Sequence, residues 1–69
     1  MNWDIIKWNF EQFTGILKKK YAEFTDDEIA EIEANGEILA GKLQEKYGYT
    51  KDEAEEKVQE LEDEINDLK

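Results

Sequence analysis

The chain says nearly the same thing twice. From Gly15 to Glu28 it reads GILKKKYAEFTDDE, and from Gly41 to Glu53 it reads GKLQEKYGYTKDE. Gly15, Leu17, Lys20 and Tyr21 recur as Gly41, Leu43, Lys46 and Tyr47, an offset of 26 residues. One residue then drops out, and Thr25, Asp27 and Glu28 recur as Thr50, Asp52 and Glu53. Upstream, Ile6, Asn9 and Glu11 match Ile32, Asn35 and Glu37. Each copy closes a helix on an aromatic and opens another at a threonine. The repeat therefore predicts an all-α fold, a small four-helix bundle built as two similar helical hairpins. It constrains the fold and is silent on any reaction.

Such a bundle fits the length. Sixty-nine residues make one small helical domain, 1–69, with a core over about 2–61 and a last helix reaching about 67. A domain this small buries only about 60% of the surface its unfolded chain exposes, so every large side chain counts. Proline is absent and helix formers dominate. The chain has no Cys and no His, which removes thiolate and imidazole metal sites, disulfides and histidine acid–base chemistry. No cofactor is expected. Asp4 and Lys7 interrupt any early apolar run, so no signal peptide is expected. No stretch approaches the roughly 18 apolar residues of a membrane span. A cytoplasmic location is expected, and the lack of Cys fits a reducing compartment.

Charge narrows the partners. The net charge is −10, unevenly spread: +2 over residues 1–21 and −12 over residues 22–69. That sign opposes non-specific binding to DNA or RNA, whose affinity rests on neutralising phosphates. Lys18, Lys19 and Lys20, with Lys7, Trp3 and Trp8, form a basic-aromatic group. Their simpler reading is a cationic last turn complementing the helix dipole. No nucleic-acid partner is expected.

The first helix is predicted over about Trp3 to Tyr21, with Asn2 as its N-cap. Trp3, Ile6, Phe10, Phe13, Leu17 and Tyr21 are spaced by three and four, a helical stripe. Thr25-Asp26-Asp27-Glu28 is a capping box opening a short second helix to about Ala34. Asn35-Gly36 breaks it, and a third helix follows from about Glu37 to Tyr47. Gly48 stands where a left-handed residue ends a helix. Thr50-Lys51-Asp52-Glu53 is the second capping box. In the last helix Ala54, Val58, Leu61, Ile65 and Leu68 are spaced 4-3-4-3, a heptad seam. The seam is expected to pack within the chain, with pairing to a second chain as the alternative. A glycine kept at one place in both copies, Gly15 and Gly41, points to close helix–helix approach there.

Ile5, Trp8 and Ile16 flank the first stripe and widen its apolar arc. Either another helix covers them, or Trp3, Ile5, Trp8 and Ile16 form a face for a protein partner or a second copy. A monomer is expected rather than a homodimer.

The elements Asn2-Trp3-Asp4, Gly15, Phe24-Thr25-Asp26-Asp27, Gly41, Gln44, Tyr47-Gly48-Tyr49 and Glu53-Ala54 resemble the CsbD-like family of small bacterial stress-response proteins. The resemblance covers about residues 1–61. It implies a small helical bundle, a bacterial cytosolic origin and induction under general stress. It implies no enzymatic activity and carries over no functional residue. The chain departs from the family's usual pattern at Trp8, Ala22 and Ala34, where glycine is usual. Phe10, Tyr21 and Leu61 stand where Trp is common, and Phe24 where leucine is usual.

The acids lie mostly on polar faces, so no apolar pocket tunes a carboxylate pair for catalysis. Gly15, Gly36, Gly41 and Gly48 are too scattered for a phosphate loop. Asp26-Asp27-Glu28 lacks the alternating ligands of a calcium loop. The function expected is non-enzymatic, a protective or protein-interaction role in the bacterial stress response.

Overall fold

A computed structural model describes residues 3–67, with Trp3 described in its backbone only. Asn2 and Leu68, read from sequence as a cap and a seam position, lie outside the described residues. The described chain is all-helical. It holds five helices: α1 (Trp3–Trp8), α2 (Phe10–Lys20), α3 (Asp26–Ala34), α4 (Ile38–Tyr47) and α5 (Lys51–Asp67).

The first helix predicted from sequence is two helices, because Asn9 breaks it. The Asn9 backbone sits at φ −114°, ψ 31°, outside the helical range. Its amide is shared between the carbonyls of Ile5 and Ile6, each at 3.2 Å. Its side-chain Nδ2 also donates to the Ile5 carbonyl, at 2.9 Å. An asparagine that competes for the helix's own acceptors disrupts the regular ladder. The ladder resumes with Phe13 N–H donating to Asn9 O at 3.0 Å. α1 has only six residues and would not persist alone. It is held because Ile6 is buried and α1 packs on α5.

The two threonine caps form as the sequence predicts. Thr25 Oγ1 accepts from the Glu28 amide at 3.2 Å, and the Glu28 carboxylate accepts from the Thr25 amide at 3.0 Å. Thr50 and Glu53 repeat this at 3.2 and 2.9 Å. Each box satisfies two orphan donors at a helix start. α4 starts differently. Asn35 Oδ1 accepts from the Glu37 amide at 3.1 Å, and tight turns follow into Ile38 and Leu39. α4 ends on Gly48 at φ 70°, whose amide donates to Gln44 O at 3.0 Å.

α5 is the strut of the molecule. It packs most extensively on α4 and also on α2 and α1. Its seam residues Ala54, Val58, Leu61 and Ile65 are all buried within the chain. Opposite them lie Ile6 of α1, Phe10, Phe13 and Leu17 of α2, Ile29 and Ile32 of α3, and Leu39 and Leu43 of α4. Full burial of one such side chain contributes about 1.5–3 kcal/mol.

The glycines correct one expectation. A Cβ built at Gly15 or Gly41 meets nothing within 4 Å, and both residues are exposed. They mark no close helix crossing. Trp8 and Ala34, which match in the repeat, also both face solvent, each just before an asparagine that interrupts the helix. A bulky side chain at position 8 therefore leaves the packing undisturbed.

Candidate interaction surface

The four residues of the sequence-derived face are placed differently. Trp8 ends α1 and is 88% exposed, the large hydrophobic side chain left in solvent among the described residues. Ile5, one helical turn earlier, and Ile16 on α2 are partly buried and pack against the core. The side chain of Trp3 lies outside the described structure. Ile5 and Ile16 thus face inward in part, and Trp8 projects into solvent.

At one end of the bundle the two copies of the repeat meet through their aromatics. Tyr21 and Tyr47 stand edge to face with ring centres 5.3 Å apart. Phe24 is 6.4 Å from both, and Tyr49 stacks on Tyr47 at 6.0 Å. Such tilted and offset pairs add to plain burial. Burial pushes the Tyr21 phenol upward. The Tyr47 hydroxyl accepts from the Glu23 amide at 3.3 Å, which fixes the first turn against the second copy. Lys46 lies 5.6 Å above the Phe24 ring and Lys57 5.9 Å above Tyr49, within cation–π range.

The basic run is largely neutralised. Lys18 pairs with Asp26 at 2.9 Å, and Lys20 pairs with Glu64 on α5. Across α3 and α4, Glu28 pairs with Lys46 at 2.8 Å and lies 3.7 Å from Lys42, which also meets Glu31 at 3.5 Å. Glu28 is held well below the usual carboxylate range, at about 2. The Lys46 ammonium is the main cause and the Thr25 amide the next. Glu53 is also lowered, by the Thr50 amide and hydroxyl. These shifts come from caps and ion pairs.

One residue escaped the sequence reading. Glu62 on α5 is only 6% exposed, and its Oε1 is buried with no hydrogen-bond partner. It lines an open cleft of about 330 Å³ between α5 and the start of α4. Gly36, Glu37 and Ala40 form one wall, and Glu55, Val58, Gln59 and Glu62 the other. Glu62 is an exception to the placing of the acids on polar faces. Glu62 follows Val58 by four residues and adjoins Leu61, so it sits on the flank of the buried seam. That flank position was the available signal, masked by the surrounding acids. Among the described residues no group of three or more His, Cys, Asp or Glu side chains is placed to hold a metal ion. No helix among them is long and apolar enough to cross a membrane.

The sequence profile of CsbD-like proteins matches residues 4–56. The chain belongs to the CsbD-like family. A UPF0337 protein of Pseudomonas aeruginosa is 40% identical over 65 residues, 94% of this chain and all of that one. A UPF0337 protein of Bordetella pertussis is 46% identical over 61 residues, 88% of this chain and 92% of its own. The UPF0337 protein YjbJ of Escherichia coli K12 is 45% identical over 58 residues, 84% of each chain. These names state no activity. No solved structure matches the chain. The CsbD-like match stops at 56, so Val58, Gln59 and Glu62 of the cleft lie beyond the matched segment.

Proposed function

We propose that this CsbD-like protein is a non-enzymatic, cytoplasmic member of the bacterial general stress response and works by contacting another protein through Trp8. The stress role follows from the family. The contact role follows from one observation, the 88% exposure of a tryptophan at the end of α1. An indole left in water gains when a partner desolvates it, and tryptophan is among the residues that most often anchor interfaces. Ile5, one turn earlier on the same helix, keeps a half-exposed edge. Glycine is usual at position 8 in the family, so the anchor is a property of this chain. The whole chain is read as one domain on a duplicated four-helix plan whose first helix is broken at Asn9. Matching burial of Leu17 and Leu43, and matching caps at Thr25 and Thr50, support that plan.

A homodimer through the heptad seam has less support, because Ala54, Val58, Leu61 and Ile65 are already used within the chain. The test is in-cell crosslinking of the intact protein and of Trp8→Gly, in stressed and unstressed bacteria. A discrete adduct is expected with the parent chain under stress. It should be lost in Trp8→Gly while the melting temperature stays within a few degrees. An adduct pattern indifferent to Trp8 would overturn the reading.

A further inference from the structure

The cleft between α5 and the start of α4 holds a carboxylate that the fold does not satisfy. Burying an ionised group without a partner is costly, and natural chains pair or coordinate such groups. Glu62 has no lysine on either wall of the cleft. Three backbone donors at the start of α4 are taken. The Glu37 amide goes to Asn35 Oδ1, the Ile38 amide to Asn35 O and the Leu39 amide to Gly36 O. The α4 N-terminus thus offers partial positive charge but not these three hydrogen bonds. Glu37 and Glu55 add further negative charge at the exposed rim. Gly36, Ala40 and Val58 supply an apolar lining between them.

We infer that this cleft binds a primary alkylammonium group, with the ammonium on the buried Glu62 carboxylate and the aliphatic stem against Ala40 and Val58. Three features select that chemistry. A buried acid next to open space asks for a cation. The acids do not converge as metal ligands would, which disfavours a bare divalent ion. The apolar lining suits methylenes, as it does when a lysine stem lies along an apolar surface. A free polyamine and a lysine side chain of another protein both present this group. The inference is independent of Trp8, which is on a different helix.

The test is a methyl-detected NMR titration of the intact chain, with urea melts alongside. The probes are 1,5-diaminopentane, butylamine, Nα-acetyl-lysine N-methylamide and, at matched ionic strength, magnesium chloride. Saturable shifts at the Ala40 and Val58 methyls are expected with the amines and not with magnesium. Glu62→Gln should weaken amine binding roughly 10- to 100-fold, the value of a charge-assisted hydrogen bond. Glu62→Met removes the buried carboxylate altogether and should fold at least as stably while losing the response. It carries the test if the glutamine variant folds poorly. A diamine that binds more tightly than the lysine amide assigns the site to free polyamines, and the reverse order assigns it to a protein lysine. Shifts spread evenly over the acidic surface, equal shifts with magnesium, or unchanged affinity in a folded Glu62→Gln would each sink the inference.

Discussion

In the first copy of the repeat, α2 stops at Lys20 and the chain uses residues 21–25 before α3 begins. In the second, α4 stops at Tyr47 and only 48–50 separate it from α5. The residues that match across the two turns are Ala22 and Gly48. Gly48 takes a left-handed backbone at φ 70°, and among the described residues nothing other than glycine does so. Alanine pays a steric penalty there, so the first turn leaves its helix another way, with Tyr21 at φ −131°, ψ 72°. The consequences are large. α5 folds straight back on α4 in the most extensive interface of the molecule. α3 packs on α4 more than on α2 and is held there by Glu28 and Glu31 reaching Lys42 and Lys46. Identical caps and matching core leucines therefore do not make identical hairpins. The two turns differ in length and in the backbone conformation that leaves the helix.

The severest way to break the comparison is through the cores. Leu17 and Leu43 match in the repeat, and both are fully buried. Replacing either by alanine should cost about 2–5 kcal/mol in a urea melt. Small domains have about 5–15 kcal/mol in total and sit low in that range, so either variant should be close to unfolding. Two costs that agree within experimental error support equivalent cores. A near-neutral Leu17→Ala beside a severe Leu43→Ala would confine the working core to the second copy and α5.

The turns come next. Gly48→Ala forces a Cβ into a left-handed backbone and should cost about 1–2 kcal/mol. Nothing lies within 4 Å of the added atom, so that cost is backbone strain alone. Ala22→Gly should cost less, about 0.4–1 kcal/mol, by freeing the unfolded chain. If Ala22→Gly instead stabilises, the first turn is held open by alanine and would close like the second.

The caps sharpen the comparison at the level of single groups. Thr25→Ala and Thr50→Ala should each cost about 0.5–2 kcal/mol, as the loss of an N-cap does. The two boxes differ in one partner, because Glu28 also binds Lys46. A folded-state value below the unfolded one means stability present above the unfolded value and lost on acidification. For Glu28 that loss runs from about 4.5 down to about 2. A carboxyl-detected NMR titration should find Glu28 among the most acidic glutamates. Lys46→Met should bring it up toward Glu53, which has the cap but no close lysine pair. An unmoved Glu28 would mean that the Thr25 amide, rather than the lysine, sets its value.

Much of this architecture was legible in the residues. The periodic stripe found Ile6, Phe10, Phe13, Leu17 and Tyr21, because burial requires one helical face to be apolar. Both capping boxes were legible, since Thr and Glu three residues apart satisfy donors within one turn of chain. The break at Asn9 was written in the repeat itself. Asn35 reads as a break because glycine follows it, while Asn9, followed by Phe10, reads as helix. The matching position carried the signal, and local propensity hid it. Exposure of Trp8 was not legible, because an apolar residue beside a stripe is compatible with either face until the kink sets the direction of α1. Glu62 was hidden for the opposite reason. Composition assigns an acid among acids to solvent, and only the path of α4 across α5 encloses it.

The smallest expected effect tests whether the two copies are alike where neither is constrained. Gly15 and Gly41 recur at one place in the repeat, and recurrence suggests a shared steric need. The structure shows none, since both are exposed and a Cβ at either meets no atom within 4 Å. Both lie inside helices, where glycine is less favourable than alanine by roughly 0.5–1 kcal/mol, chiefly through the freedom it gives the unfolded chain. Gly15→Ala and Gly41→Ala should therefore each raise the urea midpoint, by a stability gain of about 0.4–1 kcal/mol. The sites lie on different helices with no shared partner, so the double variant should gain the sum. A loss at Gly15 alone would reveal a contact made at that face in solution. The flank of Ile16, the next residue along α2, would then be the first place to look for what makes it.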